Sequence, residues 1–179
     1  DGSKIMREEY IKHLIALYQE DLEDYRELLQ RMSSYYSFLN GTDDTDRPNT
    51  ENEAKDIFQQ KLQQFAAYRE QVFENLRQRA KQAQDLQAKI TSELGTQWEI
   101  VALEPHLPAA VYSELRNLVE RLREHMAEVL ELDAKIIPRL NQELKEIKSE
   151  LYRLQNSQKT KNAYESSGPV EARFIDKVK

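Results

Sequence analysis

The sequence predicts an all-α protein, an elongated antiparallel bundle of three long helices with coiled-coil-like packing. Three observations carry this. Apolar residues step alternately by four and three over long stretches, the period of a helix packed on other helices. Gln, Glu, Leu, Lys, Arg and Ala dominate, the residues that lose least on entering a helix. The 179 residues hold only four glycines and five prolines, most of them between the apolar stretches.

The first helix is expected at about 5–40, with the seam Ile11, Ile15, Tyr18, Leu22, Tyr25, Leu29, Met32, Tyr36 and Leu39. Its three tyrosines ask for polar partners or a wet edge. Asn40-Gly41 is a plausible left-handed cap, and residues 42–53 read as a polar, mobile surface loop. The second helix is expected at 51–95, with Phe58, Leu62, Phe65, Val72, Leu76, Ala83, Leu86, Ile90 and Leu94 on its seam. Arg69 and Arg79 interrupt that seam and are expected to snorkel along neighbouring stems. Residues 96–107 carry the single Trp98, Pro105 and the apolar patch Ile100-Val101-Leu103, and read as a structured connection plugging one end of the bundle.

The third helix is expected at 108–155, opened by Pro108. Its stripe runs Val111, Leu115, Leu118, Leu122, Met126, Val129, Leu132, Ile136, Leu140, Leu144, Ile147, Leu151 and Leu154, broadened early by Val119, Leu130 and Ile137. Pro138 lacks an amide hydrogen and is expected to kink the helix near Ala134. Residues 1–155 thus read as one bundle domain, and 156–179 as a flexible C-terminal tail with too little apolar content to fold alone. That tail still carries isolated apolar residues at Tyr164, Phe174, Ile175 and Val178, which look like attachment points.

Composition excludes several classes of function. The net charge of −6, without a Lys/Arg stripe, argues against nucleic acid as a ligand and against a basic membrane-bending face. With no cysteine there is no disulfide framework and no thiolate nucleophile. No apolar run approaches the ~20 residues that span a bilayer, so stable membrane insertion is not expected, and the cytoplasm is the expected compartment. His13, His106 and His125 lie far apart, Leu122 stands where a di-iron Glu would precede His125, and no phosphate-cradling Gly loop or Gly-x-Ser-x-Gly is present. The reading is a non-enzyme with no cofactor and no metal.

Helix lengths point instead to binding. At the α-helical rise the second and third helices would be roughly 65–75 Å long and the first about 50 Å, leaving about 15–20 Å of the longer hairpin without a third helix. An exposed seam on that scale marks a helix-in-groove site or an oligomer interface, a homodimer included.

A Leu-rich first helix with Tyr25-x-x-Leu28-Leu29 is followed by a second helix ending in Leu94-Gly95. A Trp/Pro-bearing connection closing on Leu107-Pro108 leads into the long third helix. In the tail, Tyr164-x-x-x-Gly168 precedes Arg173-Phe174-Ile175-Asp176-Lys177. This layout resembles that of the flagellar export chaperone FlgN family over nearly the whole chain, the tail being similar to the family's closing elements. The chain departs from the family where Leu132-Asp133-Ala134-Lys135-Ile136-Ile137 replaces a mid-helix stretch with asparagines. The resemblance implies binding of C-terminal amphipathic segments of hook-associated (junction) proteins and delivery to the flagellar type III export gate. It places the partner groove at Ile136, Leu140, Leu144, Ile147, Leu151 and Leu154, and gate docking at Tyr164, Gly168, Phe174 and Ile175. The competing expectation is a structural coiled-coil scaffold or tether subunit in a permanent oligomer.

Overall fold

A computed structural model describes residues 2–41 and 49–175, with side chains up to residue 163 (Ser3 apart). The described residues form helices and no strand: α1 (Gly2–Leu39), α2 (Glu51–Leu94), a 3-10 turn (Val101–His106) and α3 (Ala109–Ile175). The chain divides into two compact units, Asp1–Lys135 and Ile136–Lys179, with the boundary inside α3.

Local chemistry sets the helix ends. Gly41 (φ 69°) follows α1 in the left-handed region, where a Cβ would be strained. The expected loop lies mostly outside the described residues, at 42–48. The Thr50 hydroxyl accepts the Glu53 amide at 3.2 Å, and the Glu53 carboxylate accepts the Asn49 amide at 2.8 Å. Two amide donors at the start of α2 are thereby satisfied, in the manner of a capping box. Gly95 (φ 67°) closes α2, its amide donating to the Thr91 carbonyl at 2.8 Å and that of Thr96 to the same oxygen at 3.3 Å.

In the first unit α1 and α2 run antiparallel, as their cross-contacts show. Lys89 lies over the Tyr10 ring, Gln87 donates to the Tyr18 hydroxyl at 2.8 Å, and Arg31 stacks on Tyr68. Farther along, Phe65 stacks face to face on Tyr35, with ring centroids 4.3 Å apart. The first part of α3 joins them through Gln19–Glu114 and Arg69–Asp133.

The α1 seam is wider than the sequence stripe. Ile11, Ile15, Leu22, Tyr25, Met32 and Leu39 are buried, and so are Leu14, Leu17, Leu28 and Tyr35, which fall beside the heptad line. The physical reason is that α1 meets both α2 and α3, so two faces of it are covered. Burial pushes the Tyr18 and Tyr25 hydroxyls above the usual phenol range, with Gln87 partly offsetting this at Tyr18. On α3, Tyr112, Leu115, Leu118, Leu122 and Val129 are buried, whereas Met126 and Leu130 are 46% and 70% exposed. Leu130 therefore does not broaden the buried stripe.

The connection is anchored by Leu103, fully buried in the 3-10 turn. Trp98, its largest side chain, is only half-buried. Leu103→Ala should destabilise the protein by about 2–4 kcal/mol, because the site is held on a rigid turn that cannot collapse easily. Urea denaturation followed by circular dichroism measures this, and a loss under about 1 kcal/mol would mean the turn is not anchored there.

The third helix does not stop at Gln155, where the apolar pattern ends. It continues to Ile175. Residues 156–162 contain neither Gly nor Pro, so main-chain hydrogen bonding can proceed without an apolar stripe. Side-chain hydroxyls of Ser157 and Thr160 also bond the carbonyls four residues back, at 3.0 and 2.9 Å.

Candidate partner-binding seam on the third helix

Past Lys135 the six positions expected to form a groove are not alike. Ile136 is buried at 3% exposure, so it belongs with the buried residues and not to an open groove. Leu140 and Ile147 are half-buried. Leu144, Leu151 and Leu154 are exposed, at 42%, 54% and 57%. Ile137, expected to broaden the stripe, is 51% exposed. Ile137, Leu144 and Leu151 follow one another at seven-residue spacing, which places them on one line of the helix in a two-stranded packing. Tyr152 adds a further exposed apolar body beside that line. Several large apolar side chains in one row exceed the single exposed Leu that needs no explanation.

The margin of the row is ionic. The Arg139 guanidinium pairs with the Glu143 carboxylate at 2.7 Å, one turn apart on α3. Lys148 lies between Ile147 and Leu151 in sequence and is exposed.

No known protein family, curated protein or solved structure gives a significant match to this chain.

The backbone at Tyr164, Gly168, Phe174 and Ile175 is part of α3, and their side chains lie outside the described residues. Among the described residues no group of three His, Cys, Asp or Glu is placed to hold a metal ion, and no helix is long and apolar enough to cross a membrane. His125 faces Glu128 at 3.7 Å, a turn away on its own helix. A cleft of about 300 Å³ between α1 and α2 is floored by Tyr35 and Phe65 and rimmed by Arg31 and Lys61. Its Arg31 is engaged with Glu27 at 3.1 Å and with the Tyr68 ring.

Sequence reasoning missed what the two seam arginines do. Neither merely snorkels. Arg69 makes a two-pronged pair with Asp133, Nη1 to Oδ1 at 2.8 Å and Nη2 to Oδ2 at 2.6 Å, and its Nη1 also lies 4.0 Å from the Met32 sulfur. One guanidinium thus ties α2 to α3 beside α1. Arg79 forks onto α1, with Nε on Asp21 Oδ1 at 2.5 Å, Nη2 on Asp24 Oδ2, and Glu20 at 3.8 Å. The Arg79 and Asp21 side chains are only 14% and 15% exposed. Desolvation holds the Asp21 carboxyl above the usual range although Arg79 opposes it, with Asp24 and Glu20 adding like charge. The signal that could have exposed the Arg79 pairs is the antiparallel register of α1 and α2, which brings position 79 opposite 21 and 24.

Proposed function

We propose that this chain is a cytoplasmic export chaperone of the flagellar type III secretion system. It holds C-terminal amphipathic segments of hook–filament junction proteins and delivers them to the export gate. The observation that supports this best is the row of exposed apolar side chains on α3 from Ile137 to Leu154, of a length and spacing suited to a partner helix. The resemblance in segment order and tail residues supplies the identity of the client.

In this reading the client's apolar face lies on Ile137, Leu144, Leu151 and Leu154, with Leu140 and Ile147 at the inner margin of the row. Burial of that face offsets the entropy lost when the segment orders, and masks a surface that would otherwise aggregate. Binding and release form an equilibrium, with no nucleotide or catalytic group taking part. Two finer features belong to the same reading. The helices pack knobs-into-holes, and Pro138, which cannot donate to the Ala134 carbonyl, bends α3 where the row begins. Tyr164, Gly168, Phe174 and Ile175 form a separate docking element for the export gate.

The exposed row also suits a scaffold subunit that buries it in a permanent oligomer. Light scattering with peptide-binding anisotropy separates the two. A monomer or weak dimer that saturates with a junction-protein C-terminal peptide fits the chaperone, and a stable oligomer with no affinity for such peptides rules it out. Tyr164→Ala should leave peptide affinity within about twofold and impair export in cells; a weakened affinity would contradict separate roles.

A further inference from the structure

The cleft between α1 and α2 in the first unit has no part in the client row, and its chemistry is one-sided. Tyr35 is buried, and Phe38, Phe65 and Tyr68 are half-buried around it. The Arg31 guanidinium lies 3.9 Å from the centroid of the Tyr68 ring, and Lys61 Nζ lies 5.0 Å from that of Phe38. Each cation therefore rests on a ring of the opposite helix. Because α1 and α2 are antiparallel, the two charges stand at opposite ends of the cleft. Positions 31 and 38 are seven residues apart on α1, roughly 10 Å at the helical rise. The stacked rings of Tyr35 and Phe65 lie between them. Of the described residues that line the cleft, none is acidic.

We propose that this cleft docks a short acidic segment of a second protein, an extended stretch with one apolar side chain between two carboxylates three residues apart. Three residues of extended chain span about 10 Å, which matches the separation of the two cations. The apolar side chain enters against Phe38 and Phe65, and one carboxylate meets each cation. Arg31 remains able to do this while paired with Glu27. It carries five N–H donors, and Glu27 engages Nη2 alone, at 3.1 Å. Both members of that pair are about half exposed, so it is weak and yields readily to a second carboxylate. Resting on a ring limits the rotamer freedom each cation would otherwise lose on binding. At about 300 Å³ the cleft is at the small end of ligand pockets, which suits one inserted side chain. Single-stranded nucleic acid also joins aromatic faces to anions. It fits less well, because each of the four rings already has one face covered, Tyr35 and Phe65 by each other, Tyr68 and Phe38 by the cations. The net charge of −6 also opposes a polyanion. The cleft lies on α1 and α2 and the client row on α3, so neither site needs the other.

The probe is the peptide Gly-Ser-Glu-Phe-Ser-Glu-Ser-Gly, titrated into the isotope-labelled full chain while amide chemical shifts are followed. Shifts should move at residues 31–38 and 61–68 and saturate with a Kd below about 1 mM. Peptides with Gln for both Glu, or Ser for Phe, should bind at least about tenfold more weakly. Arg31→Gln and Lys61→Gln should each weaken the acidic peptide at least about threefold, with circular dichroism unchanged because neither side chain belongs to the buried core. The double variant Leu144→Asp, Leu151→Asp should bind it as the native chain does. A neutral peptide that binds as well as the acidic one overturns the proposal, as do shifts confined to α3, unchanged affinity in both cation variants, or no saturation at several millimolar. An oligothymidylate that displaces the peptide and binds more tightly overturns it too, by making the cleft a nucleic-acid site.

Discussion

Replacing Leu144 and Leu151 together by Asp should reduce client-peptide affinity by at least about a thousandfold while leaving helix content unchanged. Fully burying an exposed leucine side chain contributes about 1.5–3 kcal/mol, and about half of each of these two is already covered, so losing both removes roughly 1.5–3 kcal/mol of client contact. Desolvating two new carboxylates in the complex adds at least about 2 kcal/mol, and together these reach the ~4 kcal/mol of a thousandfold change. The fold should tolerate the change, because both side chains are about half exposed, at 42% and 54%, and neither is part of the buried core of the first unit. Peptide anisotropy and circular dichroism on the same sample check both halves. If the protein melts instead, the two leucines are structural and the row is not an open surface. Ile136→Asp is the informative contrast. At 3% exposure it should unfold the protein locally, well before any effect on binding can be read.

The second large effect is expected at Arg79. Arg79→Met removes the cation between two carboxylates on α1, with Asp21 and Asp24 only 15% and 27% exposed. Breaking a buried pair from one side costs about 3–5 kcal/mol, and the residual exposure here puts the expectation at about 2–4 kcal/mol. Arg79→Lys should recover less than half of that, since a point charge cannot fork onto both carboxylates. The pH dependence gives the effect a signature. In the native protein Asp21 already binds its proton more tightly than an unfolded aspartate, because burial outweighs Arg79. A carboxyl raised in the folded state destabilises above its folded pKa, and that penalty lifts as pH falls through it. Removing Arg79 takes away the influences that lower Asp21, so the penalty at neutral pH grows. The deficit of Arg79→Met relative to the native protein should therefore be largest near pH 7 and shrink toward about pH 4.5. Urea titrations at the two pH values measure this. A deficit independent of pH would mean that the lost packing of the Arg stem, and not the stranded charge, carries the cost.

These two sites differ in how legible they were. The period of α1 was readable because Ile11, Leu22, Met32 and Leu39 obey one helical repeat. Its width was not, because Leu14, Leu28 and Tyr35 are buried by a second neighbour that a single helix's pattern does not announce. Arg69 and Arg79 were visible as interruptions of a seam, yet their partners lie 55–64 residues away in the chain. Only the register of α2 against α1 for Arg79, and against α3 for Arg69, reveals them. The cap at Gly95 was legible because glycine alone adopts that left-handed conformation without strain. The end of α3 was not, since an apolar stripe marks where a helix packs and not how far its hydrogen bonding continues. In the candidate seam the stripe itself could be read, but not its division into buried Ile136, half-buried Leu140 and Ile147, and exposed Leu144, Leu151 and Leu154. That division depends on which neighbours each turn of the helix meets.

The exposed row from Ile137 to Leu154 is proposed to receive a client helix. Amide hydrogen exchange with and without a junction-protein C-terminal peptide tests it most directly. Residues 140–155 should gain protection when the peptide binds, with the rest of the first unit changing little. Saturable binding with protection confined to α1 and α2, or no protection anywhere on α3, would contradict it.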